Sequence, residues 1–309
     1  MSAAARPASD PPGDELTAGL VGAAVAVTAW GAGSVIIKGV DMGALAVGAY
    51  RFWFYFLPLV LWMHLRGAPL RLHVIRTSMA GGIALGLDVA FFFSAVKLTN
   101  VVNATLIGSL QPIVVGVVAA RFFGEQIRRR DAAWALVALG GVAAVIFASN
   151  GTPQWSGRGD LIAVGSMLAW SAYFIASRES RTRLTSTEFT AGTALWAAAI
   201  NTPLAVVSGQ DLSWPSARDL GLVVAMTVLA GLVGHSLMNW SLVRIPLWIG
   251  STMTLLIPVS SSLLAWVFLD EALNAAQVTA MALVLLALAS IVKGQSTAKA
   301  IAAKAAVDP

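Results

Sequence analysis

The sequence has no cysteine and only three histidines, His64, His73 and His235. Without thiols there are no disulfides and no thiolate metal sites. The HExxH pair is missing as well, and His64 and His73 fall at a helix end and in a loop, so a hydrolytic metal centre lacks its ligand set. No nucleophile–base set is visible, so the chain is not expected to be an enzyme or to hold a metal or cofactor. Charge is scarce: Asp, Glu, Lys and Arg make up 11% of the 309 residues, where a soluble domain carries roughly a quarter.

Apolar residues fill that space, at 58% of the chain with a mean hydropathy of +0.78. The expected class is an all-α, polytopic membrane protein whose first partner is the lipid bilayer. The net charge of +5 does not point to nucleic acid, because the basic residues sit in short loops between apolar runs. Residues 1–16 are Pro/Ala-rich and polar and are expected to be disordered. No cleavable signal is expected, since the first apolar run belongs to the repeat described below.

Crossing a bilayer takes ~20 mostly apolar residues. Ten segments meet or approach that length: 17–37, 44–64, 77–96, 100–121, 132–149, 160–177, 187–207, 219–242, 246–268 and 275–292. An even number puts both termini on one side. Of the 20 Lys and Arg residues, 15 lie on the terminus side and 4 on the other, so both termini are expected in the cytoplasm and the protein in the inner membrane. Residues 294–309 form a cytoplasmic tail.

One phrase occurs twice. "LQPIVVGVVAARFFGEQ" (110–126) and "LIPVSSSLLAWVFLDEA" (256–272) each run from a proline, Pro112 or Pro258, to a glutamate, Glu125 or Glu271. "AWGAGSVIIK" (29–38) pairs with "AWSAYFIASR" (169–178), aligning Trp30 with Trp170. "FFSAVK" (92–97) pairs with "NWSLVR" (239–244), and Pro58 pairs with Pro203. The halves, 17–149 and 150–293, carry five spans each. Five is odd, so the second half enters the membrane from the opposite face. Inverted repeats of this kind underlie alternating access in transporters.

These residues, with "RF" at Arg51–Phe52, resemble the drug/metabolite transporter superfamily, in its ten-helix branch with two EamA-type repeats. The resemblance covers nearly all of 17–293 and is closest to the amino-acid exporters of the YddG group. It implies export of amino acids, aromatic and other neutral ones, and of related small metabolites. Asp270, before Glu271, stands where the family usually has glycine.

Prolines inside membrane helices are tolerated where neighbours satisfy the freed carbonyl. Pro112, Pro258, Pro58 and Pro203 are therefore either gating hinges or static kinks. Glu125 and Glu271 are expected to cap the turn into the next helix. Gly82 and Gly86, Gly140 and Gly141, and Gly231 and Gly234 are assigned to close helix packing.

Deep polar residues are the candidate substrate site, because charge inside a bilayer usually faces a cavity. Asp88 is the deep acid. Counting back six residues from the matched Ser94 and Ser241 reaches Asp88 and His235, so the two are repeat equivalents. Phe92 and Asn239 lie one turn further on the same helix faces. Trp30, Trp170 and Tyr173 offer flat faces for an aromatic group or an ammonium. Asn103 and Ser251, with Thr105, Ser109, Gln111, Thr252 and Thr254, are positioned to hydrogen-bond a zwitterion or their own helices. Lys38, Arg178, Lys97, Arg244 and Arg51 read as anchors snorkelling to the membrane surface.

The expected function is export of a small amphipathic molecule through a central cavity, and ten spans are enough for a monomer to operate. Two alternatives stand beside it: a proton-coupled multidrug efflux pump using Asp88 or His235, and a passive channel.

Overall fold

The computed structural model describes residues 13–99, 101–150 and 156–307. Of the stretch 1–16 expected to be disordered, residues 1–12 lie outside the described residues, as does the side chain of Lys97, while residues 13–16 are helical. Among the described residues every regular element is helical. Among the described residues nine helices are long and apolar enough to cross a membrane; a further one, α4 (Met79–Leu98), has 20 residues, with its described apolar stretch over Met79–Phe92.

Four of these segments are α1 (Gly13–Ile36), α2 (Ala44–Leu65), α7 (Arg129–Asn150) and α8 (Gly157–Ser180). A short α3 (Leu72–Thr77) precedes α4. α9 (Ser186–Val207) opens with a capping box in which Thr185 and Glu188 satisfy each other's backbone amides. Pro58 and Pro203 sit inside α2 and α9, which continue unbroken past them.

The other two prolines accompany breaks. The fourth apolar segment divides into α5 (Val101–Gly108) and α6 (Gln111–Phe122), with Pro112 in the first turn of α6. The ninth divides into α12 (Leu247–Met253) and α13 (Leu256–Leu269), with Pro258 in the first turn of α13. Proline removes an amide and crowds the preceding turn. The chain responds with tighter bonds, from Ile113 N to Leu110 O at 3.0 Å and from Ile257 N to Thr254 O at 2.9 Å. Hydroxyls take carbonyls at the breaks: Ser109 Oγ donates to Thr105 O and Thr254 Oγ1 to Ser251 O.

The eighth segment has a different irregularity. Between α10 (Ala217–Met226) and α11 (Ser236–Ser241), residues Thr227–His235 form a π-helix. Its wider turn changes the direction in which His235 projects, and such insertions often mark functional sites.

α4 lies against α8 and α9, α7 against α14 (Ala275–Val307), and α1 against α13 and the π-helical stretch. Glycines permit the α4–α9 approach. A Cβ on Gly82 would stand 2.4 Å from Trp196 Cβ, and one on Gly86 would stand 3.1 Å from Ala197 Cα. On α7 Gly141 packs closely, against Val284, whereas among the described residues a Cβ on Gly140 would meet nothing within 4 Å. Packing therefore does not account for Gly140. The buried core is continuous from Leu16 to Ile291 and includes Phe52, Tyr55, Tyr173 and Phe174.

The helices alternate between two ends. The terminus-bearing end joins Ser180 Oγ to Thr77 O, Ser186 Oγ to Ser236 O and Gln295 Nε2 to Asp131 Oδ2. The far end joins Tyr50 Oη to Leu212 O, Ala46 N to Gln210 Oε1, and Arg218 to Asp41. α14 continues through Val307, so most of the expected tail 294–309 is helical.

The repeated glutamates do not cap the helices that follow them. Glu125 accepts the amides of Leu247 at 2.7 Å and Trp248 at 3.1 Å, capping α12 in the other half of the chain. Glu271 pairs with Lys38 at 2.6 Å, and α14 is capped instead by reciprocal bonds between Asn274 and Gln277. Lys38 is thus an ion-pair partner as well as a helix-end base.

Candidate functional site

The core of the bundle holds an aromatic cluster built by α1, α2, α8 and the π-helical stretch. Trp30 and Trp170 meet edge to face with ring centroids 5.1 Å apart, and Trp170 stacks on Tyr173 at 5.3 Å. Trp30 also reaches His235 at 5.2 Å, and Tyr173 reaches it at 5.5 Å. Trp30 is fixed by its indole N–H, which donates to Ala230 O at 3.0 Å. Gly234 makes room for it, since a Cβ there would stand 2.6 Å from Trp30 Nε1.

A polar chain threads this cluster. Arg51 Nη2 lies 3.2 Å from His235 Nε2, and His235 Nδ1 lies 3.1 Å from Tyr173 Oη. A guanidinium only donates. His235 Nε2 therefore accepts, and the imidazole is the neutral tautomer with its proton on Nδ1. That proton is donated to Tyr173 Oη, which donates its own to Asn239 Oδ1 at 3.2 Å. Ser177 Oγ donates to the same Oδ1 at 2.7 Å, and Asn239 Nδ2 donates to Thr190 Oγ1 at 3.0 Å. Each bond fixes the direction of the next. Protonating His235 would put a second donor against Arg51, so this geometry opposes its use as a proton carrier.

Trp30, Trp170, Tyr173, His235 and Asn239 are thus brought together. Asp88 is not bonded to its repeat equivalent His235. Its Oδ1 accepts from Ser166 Oγ at 2.7 Å, and the carboxyl lies within electrostatic reach of Arg51. Phe92 packs with Ala95, Ala104 and Ala163 in a separate small cluster.

Asn103 and Ser251 lie elsewhere. Asn103 Nδ2 donates to Asp160 Oδ1 at 2.9 Å, and Thr99 Oγ1 donates to the same oxygen at 2.7 Å. This ties α5 to the start of α8. Ser251 Oγ donates to Gln111 Oε1 at 3.2 Å, tying the broken ninth segment to the broken fourth. Neither residue joins the aromatic cluster. A concavity of about 460 Å³ on the outer surface of α2, lined by Leu57, Leu61, His64 and Leu70 among others, holds none of the candidate residues.

Arg51 was the main omission from the sequence-derived site. It is no snorkelling anchor, because its guanidinium turns into the bundle to meet His235. The available signal was its depth: seven residues into an apolar helix is about 10 Å of rise, a long way back to the surface. Ser177, Thr190 and Ser166 carried no signal, because their partners are remote in sequence. Arg178 and Arg244 do hold helix ends: Arg178 Nη1 donates to Leu242 O, and Arg244 lies over the Trp240 ring at 3.8 Å. Beside them, burial and the charge of Arg244 lower the Arg181 pKa, partly offset by Glu188.

The EamA-like transporter family matches the chain twice, over residues 17–147 and 157–293. A curated relative, the aromatic amino acid exporter YddG of Ancylobacter novellus, is 31% identical over 156 residues. That match covers 49% of this chain and 52% of the relative, so the chain spans about half the length of the curated relative it matches. A protein of known crystal structure, 24% identical, superposes with a TM-score of 0.77 over 88% of this chain and 96% of its own, a likeness of fold.

Proposed function

The chain belongs to the EamA-like transporter family, and on that premise we propose that it exports amino acids, aromatic and other neutral ones, and related small metabolites by alternating access. In this reading it lies in the inner membrane as ten spans, both termini cytoplasmic, with residues 17–149 and 150–293 as inverted five-helix repeats. The substrate class draws on the name of the relative and on the flat aromatic faces beside buried polar atoms. Asp88, His235, Asn239, Trp30, Trp170 and Tyr173 border the substrate path, and the breaks at Pro112 and Pro258 act as hinges.

The observation that carries alternating access is an asymmetry between matched contacts. α6 packs against α12, and Glu125 caps α12 at the terminus-bearing end. Under the repeat, the counterparts are α13 against α5, with Glu271 capping α5. Among the described residues α13 and α5 make at most marginal contact, and Glu271 is held by Lys38. A transporter open only at the far end has this arrangement. Exchanging the two sets of contacts would open the other end.

The test is uptake into proteoliposomes of a labelled amino-acid panel, with and without a pH gradient, beside a panel of planar cationic drugs. Saturable amino-acid flux indifferent to the gradient is expected. Flux of drugs alone, accumulating only under the gradient, would replace this reading with a proton-coupled multidrug pump.

A further inference from the structure

Arg51 is a permanent cation inside the bundle with almost none of its bonding capacity used. A guanidinium offers five N–H donors in a planar fork. The protein engages one nitrogen, Nη2, through His235. Nε is buried and has no hydrogen-bond partner among the described residues. The Phe52 ring lies 5.5 Å from the guanidinium carbon. Among the described residues the ion pairs are Lys38 with Glu271 and Arg218 with Asp41, both at the far end, so no carboxylate stands within 4 Å of Arg51. An unpaired charge away from water is costly and is retained where something compensates it.

Asp88 is the acid placed to do so, and it stops short. It feels Arg51 electrostatically but gives an oxygen to Ser166 Oγ. α2 and α4 thus carry a cation and an acid near enough to influence each other, with no ion pair between them. His235 cannot fill the gap, because its neutral form is already committed to Arg51 and Tyr173. Arg51 as a whole is half-buried. The rings of Trp30 and Trp170 adjoin His235 on the same side of the bundle.

We propose that Arg51 is the anion-binding element of the substrate site, receiving the carboxylate of an organic acid in its guanidinium fork. It rests on the transporter reading above and specifies it: an amino acid would place its carboxylate on Arg51, its ammonium toward Asp88 and its side chain against the tryptophans. A carboxylate can meet a guanidinium through two parallel charge-assisted hydrogen bonds, which are roughly twice as strong as neutral ones. A substrate with no carboxylate would leave the Arg51 charge uncompensated and would be rejected on that ground.

The test uses the full chain in detergent, with ligand-dependent thermal stabilisation as the readout. The probes are L-phenylalanine, phenylacetate (carboxylate alone) and phenethylamine (ammonium alone), against wild type, Arg51→Gln and Arg51→Lys. Wild type should be stabilised by both carboxylates, with phenethylamine at least tenfold weaker. Arg51→Gln should lose tenfold or more in apparent affinity for both carboxylates, and Arg51→Lys should keep part of it. Should Arg51→Gln fail to fold, the wild-type preference for phenylalanine over phenethylamine decides. Equal binding of phenethylamine, no binding of either carboxylate, or carboxylate affinity within twofold of wild type in folded Arg51→Gln would overturn the proposal. Arg51-dependent binding of phenylacetate in a protein that moves no amino acid would sink the exporter reading and leave the site standing. Amino-acid flux in folded Arg51→Gln with an unchanged KM would do the reverse.

Discussion

Glu125 caps a helix that begins 122 residues away, its Oε1 taking the amide of Leu247 at 2.7 Å while Oε2 takes that of Trp248. A carboxylate at a helix N-terminus satisfies orphan donors and opposes the helix dipole. Because the cap joins α6 to α12 from outside either helix, it fastens two segments that must separate if the terminus-bearing end is to open.

Glu125→Gln should weaken that fastening without removing its shape. The charge-assisted part of such bonds is worth about 1–2 kcal/mol, enough to shift a closed-to-open equilibrium several-fold. The chain has no native cysteine, so a single one placed at Ser251 reports access. In Glu125→Gln, its labelling by an impermeant maleimide from the terminus side should speed up. Lys38→Ala, which frees Glu271 at a half-exposed ion pair, should also speed the same labelling, by favouring the exchanged contacts that open the terminus-bearing end. Unchanged rates in both variants would remove these glutamates from gating.

Gly234→Ala should be among the most damaging small changes in the protein. The new methyl would stand 2.6 Å from Trp30 Nε1, displacing the indole and its bond to Ala230. Overpacking of this kind costs about 1–3 kcal/mol. Gly140→Ala is the control: its methyl meets nothing within 4 Å, and replacing a mid-helix glycine should gain roughly 0.5–1 kcal/mol. Thermal unfolding in detergent should order them Gly140→Ala, wild type, Gly234→Ala. A neutral Gly234→Ala would mean that Trp30 is not held as described.

Asn103→Ala should lower stability by about 1–2 kcal/mol, the cost of leaving a buried carboxylate short of one donor, since Asp160 takes Asn103, Thr99 and the Ser156 amide together. Because that junction is remote from the aromatic cluster, KM for any transported substrate should stay within twofold. A large rise in KM with unchanged melting would return Asn103 to the substrate path.

How much of this was legible in the sequence follows from the range of each interaction. The helices were, because apolar length in a membrane protein is a local property. Trp30 and Trp170 were flagged as a pair because the repeat marks matched positions, and the structure puts their rings in contact. Arg51 misled, since a charge near a helix start looks the same from sequence whether its side chain turns back to the surface or inward. The bonds of Asn103 and Ser251 were hidden for a related reason: their partners, Asp160 and Gln111, are 57 and 140 residues away. The π-helix at Thr227–His235 has no proline or other residue that announces it. It also sets the direction of His235, which is why counting from Ser241 placed the residue without revealing what it would touch.

The tautomer of His235 gives the most direct check on the polar chain. Arg51 can only donate, so Nε2 accepts and the proton stays on Nδ1, where Tyr173 Oη takes it. In protein labelled with nitrogen-15 at histidine, His235 should show a protonated Nδ1 and a bare Nε2, the less common arrangement for a free neutral imidazole. Tyr173→Phe removes the acceptor of that proton and the donor to Asn239 in one step. Two buried groups lose partners, so stability should fall by about 1–3 kcal/mol. Arg51 still fixes the tautomer, so the Nδ1 signal should persist in Tyr173→Phe and shift to a weaker hydrogen bond. In Arg51→Gln the constraint is gone, because an amide can donate or accept, and a mixture of tautomers should emerge. Finding Nε2 protonated in the wild type would reverse the chain's direction and leave the Arg51 fork facing a donor, which removes the geometric argument against His235 as a proton carrier.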